Sequence, residues 1–226
     1  MSHAGLSYPR RTVITVRYNF DASWVPFTAD RTLEAAAAIA MEWAEKAAAN
    51  DRPAVLVTDR IGEYHGHEPF EQYRRGRHVS PRSSRLGFRP GAVIAHVPTP
   101  KALELAMRLA DGAALAVVEH PAPWRLAGWA RAVGARDLVT GETAAALDPT
   151  LATHLNDLIF YGNNGYSRGH GRDGAQRILT DLQTEGLLDR DLVVSALAGL
   201  GVSPDRQETI AAMIAQMPDP QPARPT

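Results

Sequence analysis

The chain predicts an α/β protein: an open, mainly parallel five-stranded sheet with flanking helices, followed by a small C-terminal helical region. Three observations lead there. Short apolar runs alternate with helix-length segments, the pattern of βαβ units. The runs at 54–58 (AVLVT), 91–97 (GAVIAHV) and 113–118 (AALAVV) are continuously apolar, as strands covered on both faces are. After Gly141 the periodicity turns helical.

Taken in order, 12–18 (TVITVRY) is β-branched and reads as the first strand, with 21–30 a connection through Pro26. Residues 31–49 then place Leu33, Ala36, Ala40, Trp43 and Ala47 on one helical face. Thr28 or Asp30 can cap that helix, and Glu34 suits its positive end. Strand 54–58 follows. Strand 91–97 leads through Pro98 and Pro100 into a helix at 101–111, and strand 113–118 leads to a helix at 124–133 that Gly134 stops. A short fifth strand is expected at 136–140 (RDLVT). Helices follow at 149–160, 173–185 and 190–200, and Ser203-Pro204 starts a last one, with proline at its first position. The alternation fails between Thr58 and Gly91, where only 68–75 (EPFEQYRR) resembles a helix of two turns, so a long functional loop is expected there.

The domain reading is a sheet domain at 1–146 carrying an Arg/His-rich loop at 60–90. A helical region at 147–217 packs on it, and a proline-rich, disordered tail occupies 218–226. With 226 residues, 45% of them hydrophobic, the chain has ample material for a core. A net charge of −1 gives no global field toward nucleic acid or anionic membranes, so anion binding must come from a local cluster. The absence of cysteine excludes disulfides, thiolate zinc sites, iron–sulfur clusters and a cysteine nucleophile. Residues 1–11 show no apolar leader and no apolar run is long enough to span a bilayer, so a soluble cytoplasmic protein with no membrane partner is expected. Walker-type P-loop, Gly-x-Ser-x-Gly and His-Glu-x-x-His motifs are all missing.

The candidate site follows from the strand ends. Ligands of open α/β sheets bind beyond the carboxyl ends of the strands. The apolar runs end in Asn19/Asp21, Thr58/Asp59, His96, Glu119/His120 and Thr140/Glu142, expected to share one rim. Asp59, His65, His67 and Glu119 are the acid–base candidates. His65-Gly66-His67 has spacing from which two imidazoles reach one divalent metal, with Asp59 or Glu119 completing the set. Arg60, Arg74, Arg75, Arg77, Arg82 and Arg85 of the loop can grip a phosphate, with Tyr64, Phe70, Tyr73 and Phe88 available to stack a base. His120 adds a rim contact, whereas His96 reads as a structural histidine. Gly169-x-Gly171-x-x-Gly174 matches the dinucleotide fingerprint only superficially, because a helix precedes it. What survives is a helix N-terminus with Arg168 and Arg172, able to hold an anion, or a plain helix–helix linker.

The expected function is binding of a small anionic, phosphorylated and nucleotide-like ligand at the sheet's carboxyl rim, with hydrolase or transferase chemistry open. The alternative is a non-catalytic adaptor or regulator that contacts nucleic acid or a protein through the arginine loop and C-terminal helices. A scaffold whose site has decayed is a third reading.

Overall fold

The computed structural model describes residues 18–48, 52–61, 68–74, 76–83, 85–122 and 124–218, without the side chains of residues 68, 69, 74 and 164. The chain is α/β, with a parallel sheet of six strands where five were expected. Strands β1 (Asp21–Val25), β2 (Ala54–Val57), β3 (His78–Val79), β4 (Ala92–His96), β5 (Ala114–Val118) and β6 (Arg136–Asp137) lie in the order β3-β2-β4-β5-β1-β6. Every neighbouring pair runs parallel.

Two strands depart from the sequence reading. β1 occupies a stretch expected to be a connection, while the strand expected at 12–18 lies, but for Tyr18, outside the described residues. The sequence DASWV is poor in β-branched residues. Its strand state comes from pairing with β5 on one side and β6 on the other, which overrides propensity. β3 is two residues inside the arginine-rich loop, and it joins the edge of β2 where Leu56 N–H donates to the Arg77 carbonyl (2.8 Å).

Helices α1 (Leu33–Ala47), α2 (Pro100–Leu109) and α3 (Ala127–Val133) accompany the sheet. Alternate strand residues divide between its faces. Leu56, Ile94 and Ala116 face α1, whose small Ala36, Ala37, Ala40 and Ala44 allow close approach. Val55, Val93, Leu115 and Val117 face α2 and α3, where Leu103, Met107 and Trp129 complete the layer. The cap of α1 is Thr32 rather than Thr28 or Asp30: its hydroxyl accepts from Ala35 N–H (3.2 Å).

Beyond β6 come α4 (Pro149–Tyr161), α5 (Gly169–Thr184), α6 (Arg190–Gly199) and α7 (Pro204–Ala215), with their own core of Leu155, Leu158, Leu179, Leu182, Leu197 and Ile210. α6 crosses α3 closely at Gly128, where a Cβ would overlap the Leu192 carbonyl oxygen and the Ser195 hydroxyl. Val194 and Ala198 of α6 thereby enter the layer that covers the sheet. No helix among the described residues is long and apolar enough to cross a membrane.

Candidate functional site

Parallel strands deliver their carboxyl ends to one rim, and there the structure gathers Thr58, Asp59, His96, Glu119 and His120, at the ends of β2, β4 and β5. Asn19 and Asp21 do not join them. They lie where β1 begins, at the opposite edge, where Asn19 N–H donates to Asp111 Oδ1 (3.1 Å) and Gly112 N–H to the Asn19 carbonyl (2.6 Å). Thr140 and Glu142 occupy an exposed turn beyond edge strand β6, held by Asp137 Oδ1 accepting from Val139 N–H (2.7 Å).

The two rim carboxylates hold backbone. Glu119 is 4% exposed; its Oε2 accepts from Phe27 N–H (3.0 Å) and its Oε1 from Leu126 N–H (2.8 Å). It thus joins the loop after β1 to the start of α3. Asp59 Oδ1 accepts from both the amide (3.1 Å) and the hydroxyl (2.5 Å) of Thr99, the residue that caps α2. β4 separates the strands that carry them, whose backbones are therefore about 10 Å apart.

The histidines are placed differently. His96 is buried with its ring edge-on to Phe70 (4.9 Å between centroids), a core position. His120 packs edge-on to Phe27 (5.7 Å), and its Nδ1 faces the Ala122 backbone. His78 Nε2 lies 2.6 Å from the Thr58 hydroxyl, which itself donates to the Arg60 carbonyl (2.7 Å). Burial pulls the His78 imidazole below its ordinary value, so the neutral ring is the folded form. His65 and His67 lie outside the described residues, and among those described no group of three or more histidines and carboxylates could hold a metal ion.

Arg75 and the Arg74 side chain fall outside the described residues. Arg77 stacks on Tyr73 (4.9 Å) and donates to the Gln72 carbonyl (3.2 Å), while Arg60, Arg82 and Arg85 are exposed. Of the aromatics proposed to stack a base, Phe70 and Tyr73 are fully buried under α1, where the 3-10 helix Glu68–Arg74 packs; Tyr64 lies outside the described residues. Among the described ones Phe88 alone presents a free edge, at 37% exposure, and it stands at the sheet's amino edge.

The rim does contain a crevice. A pocket of about 430 Å³ opens between the first turns of α2, α6 and α7, with Trp124, Val194, Pro100, Pro204 and Ala211 as its apolar surface. Trp124 is fixed by donating from Nε1 to the Pro98 carbonyl (3.0 Å). Thr99, which Asp59 holds, forms part of the wall, so the rim carboxylate positions this site without entering it.

Two cations line the mouth, Lys101 and Arg190, and both stand in the first turn of a helix. Cations there oppose the helix dipole. Their acidic neighbours are the exposed Asp205, 3.9 Å from Lys101, and the half-buried Asp191, 3.0 Å from Arg190, and such pairs contribute little near the surface. The backbone beside them is also unusual. Val97, which follows β4 and precedes Pro98, has φ +47°, a conformation rare for a β-branched residue. Sequence reasoning passed over Lys101, Trp124 and Arg190 because each is isolated in the chain.

The glycine-rich stretch belongs to the helical region. Gly162 lies against the Tyr166 ring and Gly174 against the Tyr161 ring, while Gly171 passes the Gly165 carbonyl too closely for a Cβ. These glycines let α4, α5 and the 3-10 turn Gly162–Asn164 pack tightly. Arg168 precedes α5 and lines a pocket there with His170, while Arg172 is exposed one turn on.

Compared with protein-family models, curated proteins and solved structures, the chain matches none.

Proposed function

We propose that this protein binds a small amphipathic ligand at the carboxyl rim of the sheet, a molecule with an apolar, ring-sized body and an anionic head. One observation carries the reading: Lys101 and Arg190 flank a crevice lined by Trp124, each at the positive end of its helix. Helix N-termini and cations together concentrate positive potential, which suits a carboxylate or phosphate. Trp124 and Val194 supply the apolar contact that small-ligand pockets need. Asp191 and Glu208 at the same mouth favour a head that also carries a proton donor, such as a hydroxyl or amine. Binding rather than catalysis is supported by Asp59 and Glu119, whose oxygens hold backbone amides.

The test is a thermal-shift screen of aromatic and aliphatic carboxylates and phosphate esters, followed by calorimetry, on the parent chain and on Ala211→Trp, which fills the crevice. A ligand at a hundred times its Kd adds about 2.7 kcal/mol to stability. A stabilising compound whose effect disappears in Ala211→Trp and weakens in Lys101→Ala and Arg190→Ala supports the proposal. A panel without any stabilising member, or a shift that Ala211→Trp leaves intact, refutes it.

A further inference from the structure

The amino edge of the sheet carries a second concavity that the rim reading does not use. Its making is topological. Gly91 N–H donates to the Arg52 carbonyl (3.1 Å), clamping the segment that enters β4 to the one that enters β2, so Arg52 and Arg89 become neighbours. α2 starts at the carboxyl rim and returns along the sheet, which brings Arg108, in its last turn, to the same edge. The three arginines surround a pocket of about 270 Å³, with Phe88 on its wall.

The charge there is one-sided. Asp111 is the single carboxylate of the lining, and its Oδ1 already accepts from Asn19 N–H. No ion pair joins Arg52, Arg89 or Arg108 to a carboxylate among the described residues. Arg108 suits the end of α2, where a cation complements the dipole, but helix stability gives no reason for Arg52 and Arg89 to converge on it. Guanidinium groups stay charged and present forked donors matched to phosphate oxygens.

We infer that this pocket is a binding site for the phosphate or pyrophosphate group of a small molecule, held by Arg52, Arg89 and Arg108. The rest of the ligand leaves across Phe88, whose exposed ring suits a planar group. The small volume favours such a ligand over a polynucleotide, which needs an extended row of phosphate contacts.

Calorimetric titration of the full chain with pyrophosphate at low ionic strength tests this, alongside Arg89→Ala, Arg108→Ala, the charge-preserving Arg89→Lys, Lys46→Ala, and Lys101→Ala at the other end of α2. Circular dichroism melts confirm that each variant folds. Saturable binding is expected to weaken about tenfold or more for Arg89→Ala and Arg108→Ala and less for Arg89→Lys, while Lys46→Ala, on the exposed face of α1, leaves it unchanged. Absence of saturable binding overturns the inference, and so does affinity unaffected by Arg89→Ala and Arg108→Ala. Tighter binding of a single-stranded oligonucleotide through the same arginines also overturns it, in favour of nucleic acid. A Lys101→Ala variant that alone loses pyrophosphate would move the site to the rim and likewise refute it.

Discussion

Glu119 joins three separate pieces of chain, and its removal is the most informative perturbation of the rim. Its two oxygens accept from amides of Phe27 and Leu126, and its own N–H donates to the Val25 carbonyl at 3.0 Å. Hydrogen bonds to a charged acceptor contribute about 1.5–3 kcal/mol each, and Glu119→Ala loses both while leaving the Leu126 amide buried. The expected cost is about 3–5 kcal/mol, the loss of two such bonds. For a chain of this size that lowers Tm by about 10 °C. Glu119→Gln separates charge from shape. The amide keeps one acceptor oxygen but turns an NH₂ toward one of the two backbone donors, so an intermediate loss of about 2 kcal/mol is expected. Urea denaturation at neutral pH reads both values. If Glu119→Gln matches the parent within about 0.5 kcal/mol, the carboxylate is not an anchor and its candidacy for proton transfer reopens.

Three further expectations concern other parts of the fold. Because burial lowers the His78 pKa, the neutral ring's contribution is complete above the unfolded value of about 6.5 and is lost as pH falls toward the folded value. The urea midpoint should therefore drop on acidification below about pH 6.5, and His78→Gln should flatten that slope; an unchanged slope would show that other groups set it. Gly128→Ala forces a methyl into the α6 backbone and should destabilise by about 3 kcal/mol, whereas Gly76→Ala, at φ +74° in open space, should cost about 1 kcal/mol; denaturation midpoints in the reverse order would refute the close crossing of α3 and α6. Burial pushes the Tyr166 hydroxyl up to about 12, so it remains a donor to the Leu158 carbonyl (2.8 Å), and Tyr166→Phe should cost about 1 kcal/mol in thermal unfolding with no pH dependence near neutrality.

What the sequence disclosed, and what it hid, follows from how each signal arises. β2, β4 and β5 are central strands, covered on both faces, and their unbroken apolar runs announce them. β1 is equally central in space, but Asp21-Ala-Ser-Trp-Val25 carries no such run, since Ser23 is buried only by virtue of its neighbours. The rim location was legible because a parallel strand must end somewhere, and Thr58, Asp59, His96 and Glu119 end three of them. Their chemistry was not. A carboxylate that serves acid–base work and one that accepts two backbone amides look alike in one dimension, and only the positions of Phe27, Leu126 and Thr99 distinguish them. The loop arginines drew notice by sequence density, yet of them Arg89 meets Arg52 and Arg108, which come from two other segments. One usable signal was available: Lys101 and Arg190 stand at helix starts, where a cation is locally disfavoured.

Broken local rules carry weight in proportion to how closely they cluster. Between β4 and α2, Val97 adopts φ +47° before a proline, and four residues on, Lys101 sits at the wrong end of its helix. Backbone strain of that kind costs about 1–3 kcal/mol and persists only where surrounding structure enforces it. Here the enforcement is visible on both sides. Val97 N–H donates to the Val118 carbonyl (3.0 Å), Trp124 Nε1 holds the Pro98 carbonyl, and Asp59 holds Thr99. Residues 97–99 are thus pinned from the ends of β2 and β5 and from the segment leading into α3, and they deliver Thr99 to the wall of the crevice. A wall fixed before any ligand arrives spares the ordering cost that a loop would incur on binding. Fold stability alone gives no reason to hold strain and a misplaced cation at one spot, whereas the proposed binding surface, preorganised in this way, accounts for both.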